Sequence, residues 1–383
     1  MHIEQVVMKS FPSDFAKLQR LEAIAPHLLL VFAGPAHFST PALADELARR
    51  FPLAQRVGCS TAGEISVQGV EDGSAVVTAL HFEQASFKVV STELTSMETS
   101  FEAGEALALQ LSGWSPKAVL VLGQGLNING SAMIDGMVKH LGSALPIAGG
   151  LAGDDAAFQK TYTLCNDGVS SSRLVAVGLK GDGLQFAHGS FGGWKPFGPV
   201  RKVTRSINNV LYELDGEPAL EVYKRYLGDH AKDLPGSGLL FPFEMLSDAR
   251  EPSGLIRTIL AVNAADGSLT LAGAISQGGY LRLMHAQTDA LVDGAEEAAR
   301  ATLKLMTRDS GAGLALLVSC VGRKLVMGGR VDEETEIVHE TLGTQATLAG
   351  FYSYGEISPG YGIQDCQLHN QTMTISYLCE TPA

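Results

Sequence analysis

Three times along the chain an apolar strand leads into a helix and then into a turn ending in glycine and an acid. This repeat constrains the fold more than any other feature of the sequence. The first copy opens on Leu28–Ala33 (LLLVFA), a strand of the fully buried type. Thr40 as N-cap and Pro41 at the first position predict a helix whose stripe is Leu43, Leu47 and Phe51. The turn is residues 58–64 (GCSTAGE), and two strands at 75–82 and 86–90 are expected to pair as a hairpin. The second copy has its strand at Ala118–Gly123 and a helix carrying Ile134, Met137, Val138 and Leu141 that stops at Gly142. Its turn is 148–154 (AGGLAGD), with a strand pair expected at 174–179 and 184–188. The third runs from a strand at 314–319 to a helix capped by Asp332 and carrying Ile337, Val338 and Leu342. It then passes through the turn 350–356 (GFYSYGE) to a last strand at 372–378.

All three turns fit small-x4-Gly-acid. Glycine there permits a positive φ or a close backbone approach, and Glu64, Asp154 and Glu356 can accept backbone N–H bonds or hold a polar ligand group. Open α/β sheets bind ligands at such strand ends, so the three acids are candidate ligand-site residues, with turn stabilisation as the plainer reading. Glycine is abundant, 43 of 383 residues, about 11% against a usual ~7%, and much of the excess falls at these strand ends.

Between the second and third copies, Gly192, Gly193 and the run Pro196-Phe197-Gly198-Pro199 interrupt the periodicity, which places a boundary near 190–200. Beyond it come a short strand at 199–206, a helix at 218–227, paired strands at 257–262 and 269–275 around Asp266-Gly267, and an Ala-rich helix at 291–306. The expectation is an α/β protein of repeated strand-helix-strand-hairpin units with mixed sheets. One domain covers 25–195 and holds two units; the other covers 196–383 and holds the third with a diverged partner.

The net charge of −13 argues against a nucleic-acid partner, which needs clustered Lys and Arg, and against docking on an anionic membrane. No apolar run approaches the ~20 residues that span a bilayer, and no basic-then-apolar leader opens the chain. Five cysteines without a C-x-x-C read as reduced thiols, so the expected compartment is the cytoplasm.

Enzyme motifs are weak. Cys59 stands in a turn that follows a helix and leads to strands, the reverse of a nucleophile elbow, and the copies put Gly150 and Phe351 in its place. The loop 124–130 (QGLNING) lacks the lysine of a P-loop. The chain reads as a binding protein and not as an enzyme.

Residues 58–66 (GCSTAGEIS) resemble the signature of FIST N domains, a sensory family of intracellular signalling proteins. Residues 209–228 (NVLYELDGEPALEVYKRYLG) resemble the opening of the FIST C domain. Residues 319–330 (SCVGRKLVMGGR), 350–359 (GFYSYGEISP) and 368–378 (LHNQTMTISYL) resemble its end. Residues 189–206 (GSFGGWKPFGPVRKVTRS) are similar to the stand-alone nitric-oxide-sensing branch. That resemblance implies non-covalent haem b, a partner histidine kinase regulated in trans, and nitric oxide as the signal, and it leaves a homodimer open. Other members imply another small ligand, such as an amino acid, without haem.

A haem needs an axial ligand in an apolar, partly aromatic pocket. Under the resemblance His188 is the first candidate, with Phe186, Phe191 and Trp194 around it, and His369 in the HNQT tetrapeptide is the second. For either histidine the plainer reading is a hydrogen-bonded structural residue.

Overall fold

The computed structural model describes residues 1–307, 311–360 and 365–381. Its organisation is three units of one strand order, each closing on its neighbour. The first holds β1 (His2–Met8), α1 (Gln19–Glu22), β2 (Leu28–Ala33), α2 (Pro35–Phe38), α3 (Ala42–Arg50), β3 (Gln55–Ser60), the short pair β4 (Glu64–Ser66) and β5 (Gly69–Glu71), and β6 (Ala75–His81). The second repeats this as β7 (Ser86–Glu93), α4 (Ser100–Ser112), β8 (Ala118–Gly123), α5 (Gly130–Leu141), β9 (Ile147–Leu151), the pair β10 (Thr163–Cys165) and β11 (Gly168–Ser170), and β12 (Arg173–Lys180).

The third unit begins with β13 (Leu184–Phe191), and a large insertion then follows. It contains β14 (Lys195–Ile207), β15 (Val210–Leu214), β16 (Glu217–Pro218), α6 (Ala219–Leu227), β17 (Phe243–Leu246), β18 (Pro252–Arg257), β19 (Ile259–Asn263), β20 (Ser268–Leu271) and β21 (Tyr280–His285). The unit resumes with α7 (Thr288–Leu305), β22 (Gly313–Cys320), α8 (Val321–Met327), α9 (Asp332–Leu342), β23 (Ala346–Ser353), the pair β24 (Gly355–Pro359) and β25 (Cys366–His369), and β26 (Met373–Glu380).

Each unit builds a four-stranded sheet and gives its short hairpin away. The first sheet is β1-β6-β2-β3 extended by β10-β11 of the second unit; the second is β7-β12-β8-β9 extended by β24-β25 of the third. The third sheet, β13-β26-β22-β23, is extended by β4-β5 of the first, so the exchange closes in a ring. The inner faces meet in one core: Leu28, Leu30 and Phe32 of β2, Leu120 and Leu122 of β8, and Leu314, Leu316 and Val318 of β22. The alternate residues of the same strands face helices, as Leu29 and Val31 do in the first unit and Val119 and Val121 in the second. Strands covered on both faces need apolar residues at every position, and this is why LLLVFA and AVLVLG are uninterrupted.

Four expectations are corrected. The strands at 75–82 and 86–90 are not a hairpin, because β6 lies in the first sheet and β7 in the second; the link between them passes from one unit to the next. The same holds for 174–179 and 184–188, since β12 pairs with β7 and β8 while β13 pairs with β26. The hairpin of each unit is instead the short pair after the turn. The expected diverged partner of the third unit is an insertion with its own core, including Val203, Leu220, Tyr223, Phe243 and Leu281. Asp332 does not cap its helix either: its Oδ1 accepts the N–H of Val70 at 2.8 Å and holds the β4-β5 pair against α9.

Candidate functional site

The three turns sit where the strand exchange closes. Gly58, Gly149 and Gly350 are equivalent, each on the strand parallel to its unit's central strand, opposite Val31, Val121 and Leu317. Counting from them, the fifth residue of each turn donates its N–H to the third residue of a neighbouring turn. Gly153 donates to the Ser60 carbonyl at 2.9 Å, Tyr354 to Leu151 at 3.1 Å and Ala62 to Tyr352 at 2.8 Å. The register also moves the second turn by one residue relative to its sequence pattern, so that Gly149 and not Ala148 matches Gly58. Asp154 therefore stands one place earlier than Glu64 and Glu356.

The acids are satisfied within the fold. Glu64 accepts from the Thr61 hydroxyl, from Ser74 N–H at 2.7 Å and from Ser74 Oγ at 2.9 Å. Glu356 repeats the arrangement with Ser353 Oγ at 2.8 Å and with Thr372 N–H and Oγ at 3.1 and 3.0 Å. Asp154 takes the N–H groups of Phe158, Gln159 and Lys160 at 2.7–2.8 Å, together with the Tyr354 hydroxyl. These bonds give the three carboxylates the work of fixing turns.

Burial raises Glu64 and Glu356 from the usual 4.5 to about 7. Between those values the fold holds protons that the unfolded chain has released, so this contribution to stability falls as pH rises from about 4.5 to 7. Glutamine imitates the protonated acid. Glu64→Gln is therefore expected to gain on the parent protein by about 2 kcal/mol between about pH 5 and pH 8, read from urea midpoints. A gap independent of pH would sink this account.

The space that gathers sequence candidates lies between the third unit and the insertion. It is a cavity of about 450 Å³ lined by Ser190, Phe191, Trp194 and His369 from one side and by Glu244, Ile256 and Met284 from the other. Trp194 is buried and its Nε1–H donates to the Gln371 carbonyl at 2.8 Å, which fixes the indole against the HNQT segment. His369 ends β25 opposite Glu356, and its Nε2 lies 3.0 Å from the Ser358 carbonyl. A carbonyl only accepts, so that bond puts the ring proton on Nε2 and leaves the lone pair on Nδ1. Burial pushes the imidazole down to about 4, so it is neutral at pH 7. Thr372 also lines the cavity, and Glu356 stands directly behind it.

His188 and Phe186 are not on this cavity. Two residues apart on β13, they share a strand face, and Phe186 packs on the central core. Burial lowers the His188 imidazole. Sequence reasoning missed the insertion's half of the wall: Glu244, whose carboxylate accepts from Arg282 Nε at 2.6 Å, and Ile256 and Met284. Nothing in the periodicity ties these residues to His369, because only the fold of the insertion brings them across. Among the described residues no helix is long and apolar enough to cross a membrane, and no cluster of three metal-ligating side chains occurs.

Comparison with known proteins gives the family. An uncharacterised protein of Methanocaldococcus jannaschii is 29% identical over 199 residues, which are 49% of this chain and 38% of that protein. Uncharacterised proteins of Mycobacterium bovis and Mycobacterium tuberculosis are each 25% identical over 251 residues, 64% of this chain and 60% of theirs. The chain thus spans less than two thirds of these relatives. Among solved structures, a cyanuric acid hydrolase from A. caulinodans is similar at a TM-score of 0.39 and 9% identity, covering 100% of this chain and 99% of that one. Residues 27–217 match the FIST N domain and residues 219–359 the FIST C domain, and the chain belongs to the FIST family.

Proposed function

We propose that this protein is a sensor, not an enzyme, whose small ligand binds in the cavity between the third unit and the insertion. FIST domains are sensory domains for small ligands, which sets the general role. The observation that carries the site is the cavity itself. Its volume is in the usual range for small-molecule sites, its walls come from two separately cored parts of the fold, and they combine apolar and aromatic surface with polar side chains. The finer reading is a cytoplasmic haem-based nitric oxide sensor that regulates a histidine kinase in trans. Five buried free cysteines suit that compartment.

The residues present fit a haem through His369. Its imidazole is neutral, its Nε2–H is held by a carbonyl in the manner of metal-ligating histidines, and Trp194 and Phe191 give aromatic wall. Haem would supply an iron centre that binds nitric oxide. The chain would hold the imidazole in one tautomer, stack its aromatic side chains and exclude water. His369, and not His188, which lies away from the cavity, would be the residue to hold the iron.

Hemin titration tests this. The expected result is a Soret band distinct from free hemin that shifts with nitric oxide, is lost in His369→Ala and survives in His188→Ala. Free-hemin absorbance alone would remove the haem reading. The alternative, an amino acid or similar ligand without haem, draws on the polar wall groups Ser190, Glu244, Ser253 and Gln367. Calorimetric titration with an amino-acid panel would then give heat where hemin gives no spectrum. Regulation of a kinase is read as a ligand-dependent change in its autophosphorylation when this protein is added.

A further inference from the structure

Arg257 ends β18 where the insertion meets the third unit, and it is only 5% exposed. Its Nη1 donates to the carbonyl of Leu368 at 3.0 Å and to that of Ile256 at 3.2 Å, and its Nε donates to the carbonyl of Ala274 at 3.2 Å. Among the described residues no carboxylate pairs with it. Other guanidinium groups in this part of the fold are treated differently. Arg323 is met by Glu334 at 2.7 Å, and Arg282 by Glu244 at 2.6 Å. Carbonyls satisfy donors but do not cancel a charge, and a buried charge without a counter-ion is costly. Burial lowers this guanidinium only to about 10, so it stays charged at neutral pH.

The position of that charge matters. Ile256, the preceding residue, lines the cavity, and Leu368, whose carbonyl Arg257 holds, lies between the lining residues Gln367 and His369. Arg257 is not itself a lining residue; its guanidinium lies behind that wall, on the carbonyl of Leu368. The carboxylate on that wall, Glu244, is already paired with Arg282. The Arg257 charge, which no carboxylate among the described residues pairs, thus lies behind an aromatic and apolar surface of Trp194, Phe191, Ile256 and Met284. Glu356, the acid behind Thr372, is raised by burial to about 7 and is only partly ionised at neutral pH.

We infer that the ligand of this cavity is an anion with a flat, largely apolar body, and that Arg257 selects its carboxylate or equivalent group. The inference rests on the cavity being the ligand site, and it adds the charge of the ligand and the residue that answers it. Arg257 stabilises the bound anion through the field of its fixed charge, while the aromatic wall takes the apolar body. In the free protein the carbonyl dipoles hold the guanidinium in place for that role.

A matched pair of dyes tests the charge without knowing the natural ligand. 8-Anilinonaphthalene-1-sulfonate is anionic, and N-phenyl-1-naphthylamine has the same rings and no charge. The chain has two tryptophans, Trp114 and Trp194, so Trp114→Phe leaves Trp194 as the energy donor and reports cavity binding. In that background the sulfonate dye is expected to bind about ten-fold tighter than the neutral dye. Arg257→Met should remove the preference while leaving the neutral dye unchanged, and Arg257→Lys should keep most of it. Equal binding of both dyes, or an unchanged ratio in Arg257→Met, overturns the inference and leaves the cavity as the ligand site. If neither dye takes energy from Trp194, the cavity reading falls and the inference with it. The ratio in the protein with native Arg257 decides the matter even if Arg257→Met does not fold.

Discussion

Gly350→Ala and Gly58→Ala will each destabilise the protein by about 3 kcal/mol or more, a large part of the stability of an ordinary domain. A Cβ at Gly350 would lie 1.8 Å from the Leu317 carbonyl oxygen, and one at Gly58 would lie 1.9 Å from that of Val31. Both obstacles are backbone of a central strand buried on both faces, so no side chain can swing away. Gly149 meets the Val121 carbonyl at 1.9 Å in the same way, which makes the clash a property of the repeat and not of one site. Pushing any of these strands outward would also break the ring of three N–H to carbonyl bonds that joins the turns. Gly113→Ala is the control, because nothing lies within 4 Å of its added Cβ and its φ is −68°. It should change stability by less than about 0.5 kcal/mol. Guanidinium midpoints of the three variants and the parent separate these cases. A Gly350→Ala protein with the parent's midpoint would show that the strands are not held as tightly as the exchange requires.

The same glycines show which part of the fold is legible in the sequence. A strand covered on both faces leaves an unbroken apolar run, so β2, β8 and β22 can be read directly. The turns announce themselves because close strand approach tolerates no Cβ. Where each hairpin goes cannot be read, because β4, β5, β10 and β11 have three residues each and carry no periodicity. Their partners belong to the neighbouring unit, and that pairing follows from closing three units into a ring. The links at Glu83 and Gly181 resemble hairpin turns in sequence but cross between sheets. The first of them is pinned by the Glu380 carboxylate, which accepts the N–H groups of Glu83 and Gln84 at 2.9 Å.

The candidate site divides along the same line. Phe191, Trp194 and His369 were legible as an aromatic and histidine set, and the fold brings them to one cavity. His188 shared their sequence neighbourhood but not their place: it lies further back along β13, beside Phe186, and is not on the cavity wall. Arg257 had no signal at all. Its significance comes from a missing counter-ion, and only the burial and hydrogen bonds of the folded chain expose that.

Glu334→Ala and Arg323→Met should each cost about 3–5 kcal/mol, the price of leaving one buried ion without its partner. Both side chains are fully buried. Arg323 Nε and Nη2 reach Glu334 Oε2 at 3.1 and 2.7 Å, while Nη2 also donates to the Leu291 carbonyl at 2.8 Å and Nη1 to that of Gly192. The other Glu334 oxygen accepts from Ser319 Oγ at 2.9 Å and from the Tyr352 hydroxyl. One ion pair thus ties β22, α8, α9 and the third turn to α7 and to the glycine segment that enters the insertion. Replacing both ions with Arg323→Met and Glu334→Ala leaves no unpaired charge, so the double variant should lose less than the sum of the single ones. Equilibrium unfolding of the four proteins gives that coupling directly, and strict additivity would contradict it. Gly192 and Gly193 line the cavity proposed to bind the ligand, so the loss should extend beyond stability. With the Gly192 carbonyl released, Arg323→Met is expected to weaken dye binding reported by Trp194 even where the protein remains folded. Glu64→Gln, which touches neither the pair nor the cavity, should leave that binding unchanged.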